Sequence, residues 1–583
     1  MAQLRIALAQ VNPTVGDLAG NADLVVRWSK QAAGRGAHLV TFPEMMLTGY
    51  PVEDLALRDS FVDASLAALD DTARRLAADG LGDLPVLVGY LDRRTGAAQR
   101  AGMPAGTPQN AAALLHGGRV VSRSAKHHLP NYGVFDEFRY FVSGERLPLI
   151  RLHGVDVAVA ICEDLWQDGG PVAVAGQAGA GLLVSLNASP YERGKDGARL
   201  DLAGRRAREA GCALTYVNMV GGQDELVFDG DSLVVDARGE LVARSPQFEQ
   251  NLLVTDLDVP AAAGGHGAAS EPAGKAGMSV ERVELSREVV ASYEPLPSSR
   301  APRLDDLTEV YAALVTGTRD YTDKNGFGSV ILALSGGIDS ALTTAIATDA
   351  LGANRVHTVL LPSRHSSEHS ISDAEDLVKR QGANARTVPI TGIVEAFEGE
   401  LDLHGLAAEN LQARVRGMIV MSLSNEHGHL VLTTGNKSEL AVGYSTLYGD
   451  TAGGFAPLKD VPKTMVWELA RWRNGRARQL GETPPIPENS ITKAPSAELR
   501  PGQLDTDSLP DYNELDRLLD DYIERDKGRD ALIAAGHDAD LVDRVLRMVD
   551  AAEYKRRQYP PGPKITLKAF GRDRRLPITN RWR

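Results

Sequence analysis

Cysteine is nearly absent: Cys162 and Cys212 are the only two in 583 residues. That excludes a disulfide framework and suits a reducing compartment. Long apolar runs are absent too, since nothing reaches the roughly 18 residues a membrane helix needs. Residues 1–15 lack the basic start, the apolar stretch and the small-residue cleavage site of a secretory leader. A soluble, cytoplasmic protein is expected. Positive charge is in deficit, 63 Lys+Arg against 77 Asp+Glu for a net −14, which argues against nucleic acid or an anionic membrane as the main partner. Any anionic substrate must then meet local positive charge. No Cys-x-x-Cys or His-Glu-x-x-His spacing occurs, and the adjacent His127 and His128 diverge, so no structural zinc site is expected.

An apolar fraction of 43% and a charged fraction of 24% are ordinary for a globular chain able to bury a sizeable core. Short β-branched or apolar runs at 4–9, 38–42, 86–91, 111–115, 155–161, 182–186, 214–217 and 232–235 read as strands. Ala- and Arg-rich stretches at 66–78 and 198–210 read as helices. This alternation predicts an α/β sandwich of sheets flanked by helices up to about residue 259. In 260–277, 15 of the 18 residues are Ala, Gly, Pro or Ser, so the segment is expected to be a mobile loop within a linker spanning 260–302. A second α/β unit is expected over 303–583, with strands at 330–334, 356–360 and 430–433 and helices at 511–523 and 538–552.

Three segments of the first half place polar groups just beyond apolar strands: Thr41-Phe42-Pro43-Glu44, Lys126-His127-His128-Leu129-Pro130 and Ile161-Cys162-Glu163-Asp164. A free cysteine is more often a small buried hydrophobe than a nucleophile. A nucleophilic one needs a base or a cation beside it. Glu44 could be that base and Lys126 that cation, and the same lysine could stabilise an oxyanion formed on an amide carbonyl. In order, these segments resemble the nitrilase superfamily, whose amidohydrolases use a Glu-Lys-Cys triad on an αββα sandwich. The stretch Leu129-Pro130-Asn131-Tyr132-Gly133-Val134-Phe135-Asp136-Glu137 is similar to the glutaminase domain of the glutamine-dependent NAD synthetase family. The resemblance implies Glu44 as general base, Lys126 as second triad member and Cys162 as nucleophile. It also implies Tyr132, Ser189 (in Asn187-Ala188-Ser189-Pro190-Tyr191) and Lys195 as positions that hold glutamine. Cys212 reads as a core residue.

In the second half an apolar strand runs into Ser335-Gly336-Gly337-Ile338-Asp339-Ser340 and then into a helix. Glycines let amide N–H groups approach an anion, serines add donors, and a helix N-terminus favours negative charge. The loop reads as a phosphate cradle, though not a Walker A loop, since no Gly-x-x-x-x-Gly-Lys-Ser/Thr occurs. It resembles the pyrophosphate loop of the N-type ATP pyrophosphatases, whose doubly wound α/β fold is then expected here. Asp339 could hold Mg²⁺ against the phosphates, with Glu439 as second candidate ligand. Thr433 to Leu440, Ala441 to Asp450 and Gly453 to Asp460 extend the similarity to the synthetase domain. By that resemblance Thr434 contacts ATP, while Asn410, Glu439 and Lys555 contact deamido-NAD. Asp460 and Lys463 are further candidates.

Residues 555–583 carry ten Lys+Arg and one acid, which by composition alone suits a solvated tail. The resemblance, covering nearly the whole chain, implies ATP-dependent amidation of deamido-NAD by glutamine-derived ammonia through an acyl-adenylate. A tunnel between the two sites, homo-oligomers formed through the synthetase domains, and small-molecule substrates without nucleic acid or membrane follow by the same resemblance. Two rivals stand beside it: another glutamine-dependent ATP-pyrophosphatase amidotransferase acting on a different acid, and a binding protein on an inactive scaffold.

Overall fold

The computed structural model describes residues 2–94, 107–262, 270–271 and 278–582. The chain divides into two compact units, Met1–Gln223 with Phe228–Leu304 and Asp224–Val227 with Asp305–Arg583.

The first unit is built on two sheets. One is ordered Asn251–Val259, Ala2–Gln10, Leu39–Thr41, Val86–Arg94, Thr107–His116, Arg119–Ala125. The other is ordered Leu241–Arg244, Leu233–Val235, Ala213–Asn218, Leu182–Asn187, Val155–Ile161, Arg146–Leu152, Ser279–Glu284, Ser270–Glu271. The two-residue period of a strand sorts the side chains. Leu4, Ile6 and Leu8 meet Val155, Val157, Val159 and Ile161 in one buried layer. Their alternates Ala7 and Ala9 pack with Ala22, Val25, Leu69 and Ala73 of the helices Leu18–Gly34 and Asp59–Ala78. Ala158 and Ala160 on the other sheet pack with Val172, Leu202 and Ala207 of the helices Gly170–Gln177 and Lys195–Ala210. The result is helix, sheet, sheet, helix.

The stretch 260–302 is not linker throughout. Ser279–Glu284 pairs in parallel with Arg146–Leu152, from Ser279 opposite Arg146 to Glu284 opposite Arg151. Beyond it, Tyr293 O–H and Leu296 N–H both donate to Asp256, which also accepts from Arg5 Nε at 2.8 Å. Backbone pairing with a sheet edge orders this segment, together with Met278 and Val280, which are buried in the core, and Val283 and Leu285, which pack against it. Of the expected loop at 260–277, residues 263–269 and 272–277 lie outside the described residues.

The second unit has a four-stranded parallel sheet ordered Asn384–Thr387, Val356–Leu360, Val330–Ala333, Leu430–Val431. Val330 and Leu332 face Ala347 and Leu351 of the helix Ile338–Leu351. Ile331 faces the opposite layer with Val394, Leu411 and Val415. Helices thus cover both faces, and the strand order reverses about Val330–Ala333, whose carboxyl end is where a doubly wound sheet binds its ligand. A helical layer built on Leu515, Leu518, Ile523, Val542, Val545 and Val549 follows. There the expected helix at 511–523 resolves into Tyr512–Leu519 and a wider turn Asp520–Glu524.

The basic run at the end of the chain is folded rather than solvated. Arg556 is buried and donates to Ala441 O at 2.7 Å, and Lys564 pairs with Asp573 at 3.1 Å. Charge counts cannot reveal such pairing.

Candidate active site

In the first unit the ends of four strands supply the groups. Glu44 follows Leu39–Thr41, Lys126 follows Arg119–Ala125, Cys162 follows Val155–Ile161, and Ser189 follows Leu182–Asn187. Lys126 Nζ lies 2.7 Å from Glu44 Oε1 and 2.9 Å from Glu137 Oε1. Both oxygens of Glu44 are held, Oε1 also by Asn110 Nδ2 at 2.7 Å and Oε2 by the Ala188 N–H at 2.8 Å. Tyr50 O–H donates to Glu137 Oε1 at 3.0 Å. Glu44, Lys126, Glu137 and Cys162 are each no more than 4% exposed.

Burial opposes the Lys126 charge, but Glu137 and Glu44 outweigh it, so its pKa is raised and it stays an ammonium. Burial and the Glu44 charge push the Cys162 thiol well up against the pull of Lys126. The resting sulfur is therefore protonated and needs a base to become a nucleophile. Burial and the Glu44 charge likewise raise Glu137, against the opposing pull of Lys126.

Cys162 has φ +45°, a conformation rare for a side chain other than glycine. Asp164 braces this turn. Its carboxylate accepts the N–H groups of Ile161 at 2.9 Å, His127 at 3.1 Å and His128 at 2.8 Å, which ties the Cys162 turn to the segment after Lys126.

The three expected glutamine contacts surround this centre. The buried Ser189 donates its N–H to Asn218 Oδ1 at 2.9 Å. Lys195 Nζ reaches Pro190 O at 3.2 Å and stands 5.8 Å from the centre of the Trp166 ring. Burial, then the charge of Arg199, lowers Lys195 to about 8. Tyr132, about half exposed, donates to Glu163 Oε2 at 2.9 Å, on the residue after the cysteine.

In the second unit the loop 335–340 closes on itself. Ser335 Oγ accepts the Gly337 N–H at 3.2 Å and lies 3.1 Å from Ser340 Oγ, which donates to Gly337 O at 3.0 Å. Gly336 has φ +80°, and a Cβ there would sit 2.2 Å from Ser370 O, so both conformation and space demand glycine. Asp339 stands in the first turn of the following helix. Its Oδ1 accepts Asn436 Nδ2 at 2.9 Å and its Oδ2 pairs with Lys463 Nζ, which is 3.5 Å from Glu439 Oε1. Glu439 also closes a capping box with Asn436. Burial and then the Asp339 charge raise the Glu439 carboxyl. The two carboxylates that share Lys463 are a donor set suited to a hard divalent cation. Asn410 and Lys555 flank one loop, Asn410 Oδ1 accepting Thr446 Oγ1 at 2.8 Å and Lys555 Nζ donating to Gly443 O and Ser445 O at 2.7 and 2.6 Å. Thr434 follows the strand Leu430–Val431, half-buried.

A carbon-nitrogen hydrolase family model matches residues 5–264 and an NAD synthase family model matches residues 310–559. The glutamine-dependent NAD(+) synthetase of Rhodobacter capsulatus is 43% identical over 594 residues, covering 100% of this chain and 99% of the relative. That of Thermotoga maritima is 42% identical, covering 100% of both chains. The chain belongs to the glutamine-dependent NAD(+) synthetases. It is similar in structure to the Acinetobacter baumannii synthetase solved with ADP, at TM-score 0.72 and 40% identity over 99% of each chain. A Cytophaga hutchinsonii synthetase matches at TM-score 0.78 and 22% identity, over 99% of this chain and 98% of that one, which bears on the fold alone. The first unit is thus the nitrilase-like domain of a synthetase and the second its NAD synthetase domain. The protein is a ligase that couples glutamine and ATP to amidation.

Within this synthetase, reading the sequence missed Glu137, Asn110 and Asp164 as parts of the buried centre. Glu137 and Asp164 lay inside quoted motifs, but nothing local marked their partners. One candidate moves away from the site. Asp460 accepts the Ile565 and Thr566 N–H groups, each at 2.8 Å, and pairs with Lys437 at 2.9 Å, so it anchors the C-terminal segment. Lys463, by contrast, sits between Asp339 of the phosphate loop and Glu439. Among the described residues no group of three or more His, Cys, Asp or Glu could hold a metal. Any cation at Asp339 and Glu439 would therefore take its remaining ligands from substrate or water.

Proposed function

We propose that this synthetase converts deamido-NAD to NAD with ammonia freed from glutamine at Cys162. The carrying observation is the buried cluster in which Lys126 bridges Glu44 and Glu137 beside the buried Cys162. Glu44 takes the thiol proton as sulfur attacks the side-chain carbonyl of glutamine. Lys126 and the N–H after Cys162 stabilise the oxyanion, and each such donor is typically worth about 3–4 kcal/mol of barrier. Glu44 then passes the proton to the leaving nitrogen, the C–N bond breaks, and ammonia departs from a thioester. Water activated by Glu44 attacks that thioester, expelling the sulfur and releasing glutamate. Tyr132, Ser189 and Lys195 hold glutamine.

In the second unit the substrate carboxylate attacks the α-phosphorus of ATP, and pyrophosphate leaves into the cradle of Ser335, Gly336, Gly337, Ile338, Asp339 and Ser340. Ammonia attacks the acyl-adenylate and loses a proton, and AMP departs. Thr434 contacts ATP; Asn410, Glu439 and Lys555 contact deamido-NAD. Asp339 and Glu439 would hold Mg²⁺, which supplies charge neutralisation at the phosphates. This reading takes the domains as 1–259 and 303–583 with a connecting segment, in a cytoplasmic homo-oligomer. Among the described residues no helix is long and apolar enough to cross a membrane.

Product analysis with deamido-NAD and ATP, comparing glutamine with ammonium, tests the reading. NAD, AMP and pyrophosphate in equal amounts are expected with either donor, with glutamate matching NAD in the glutamine arm. Absence of NAD in both arms, while another acid is amidated, would overturn it.

A further inference from the structure

Arg199 is fully buried in the first unit, where an apolar side chain would fill the same space without desolvating a charge. It stands one turn after Lys195 on the helix Lys195–Ala210. Its Nη1 meets both oxygens of Asp229 at 2.7 and 2.6 Å. Its Nη2 donates to the carbonyls of Ser189 at 3.0 Å and Pro190 at 2.9 Å. Pro190 O is the carbonyl that Lys195 Nζ also reaches. Two cations therefore share one acceptor, and like charges four residues apart on a helix repel.

We propose that Arg199 is a positioning residue for glutamine: it fixes the Ser189–Pro190 turn, and its charge leaves Lys195 wanting an anion, so that the substrate's α-carboxylate is drawn there. This rests on the reading of Ser189 and Lys195 as glutamine contacts. The charged groups that act on Lys195 are Arg199 on its own helix, Glu192 in the preceding turn and Asp229 on the strand Leu226–Asp229, and the titratable thiol of Cys162 faces it from a strand end. Arg199 lowers Lys195 more than Asp229 raises it. Removing the pair together shifts Lys195 upward without leaving a bare buried carboxylate.

The test is steady-state glutamine hydrolysis by the full chain from neutral to alkaline pH, with ammonium-dependent synthesis as a check on the second unit. In the native protein KM for glutamine should climb as pH passes about 8, where Lys195 loses its proton. Arg199→Met/Asp229→Leu should raise KM at neutral pH about tenfold, the equivalent of one hydrogen-bonded contact. It should change kcat little and move the climb in KM to more alkaline pH. Arg199→Lys keeps the charge but cannot reach both carbonyls and Asp229, so its KM should rise while the pH of the climb stays native. A raised KM with no shift of that pH in the double variant would reduce Arg199 to a structural role and overturn the proposal, as would an unchanged KM. In Lys195→Met, KM should be high and flat with pH. If that variant keeps native KM and native pH dependence, the glutamine-site reading falls and takes the proposal with it. If it behaves as expected while the Arg199 variants do not, only the proposal falls.

Discussion

The two proposed reaction centres are built on opposite principles. In the first unit Lys126 and Glu44 are sealed, at 1% and 0% side-chain exposure, and every oxygen of Glu44 is held by a protein donor. In the second, the carboxylates of Asp339 and Glu439 keep 18% exposure, with Lys463 and Asn436 sealed behind them. A covalent step on a small amide gains from a dry, rigid setting where charges act strongly. A centre that admits two nucleotides must stay open, and it draws its order from loops at a strand-order reversal. On the proposed reading, closure and openness follow the size of what each centre handles.

Four substitutions probe that contrast. Cys162→Ala should reduce glutamine-dependent synthesis by several orders of magnitude, because neither Glu44 nor Lys126 can replace the nucleophile. Ammonium-dependent synthesis should survive, as should both activities in the buried Cys212→Ala control. Loss of both donors in a folded Cys162→Ala protein would show that the two centres are not separable catalysts. Asp339→Ala should lower NAD formation about a thousandfold or more with either donor, since it strikes the adenylation they share. Glutamate release should persist in that variant, and substantial ammonium-dependent synthesis would remove Asp339 from its role. Glu137→Gln keeps shape but takes one anion from Lys126. Glutamine hydrolysis should fall about a hundredfold, an effect of the size expected for tuning an acid-base centre, with the ammonium route untouched.

The smallest effect on chemistry is expected from Lys437→Met. Lys437 holds Asp460, Glu524, the Thr566 hydroxyl and the Lys568 carbonyl. Taking the ammonium away from the buried Asp460 and the partly buried Glu524 should destabilise the second unit by about 3 kcal/mol, read as an earlier denaturant midpoint. Glutamine hydrolysis at low temperature should stay near native. A large loss there would mean that the first unit depends on this anchor.

What could be read in the sequence was what a single strand end carries. Glu44, Lys126, Cys162 and the loop 335–340 each follow one apolar run, so local pattern places them. The sandwich layers were legible for the same reason, since alternation within one strand sorts its faces. Glu137 and Asn110 meet Lys126 and Glu44 across strands and a turn, at separations set by sheet register rather than by spacing along the chain. Asp164 reads as one more acid until its three backbone donors are seen. Asp460 shows the converse, since a position within a motif rich in candidate site residues takes part in anchoring the C-terminal segment. The basic run at 555–583 misleads because composition counts charges and not their partners.

The strand Ser279–Glu284 bears on where the first unit can be severed. The carbon-nitrogen hydrolase match ends at residue 264, yet Arg146–Leu152 takes its parallel neighbour from beyond that point. A glutaminase fragment trimmed to the matched region would leave a row of unpaired amides and carbonyls along a buried strand, a template for indiscriminate self-association. An excision carried to Leu304 keeps that seam closed. In this protein the outline of a unit is drawn by hydrogen bonds, and it runs some forty residues past the outline drawn by kinship.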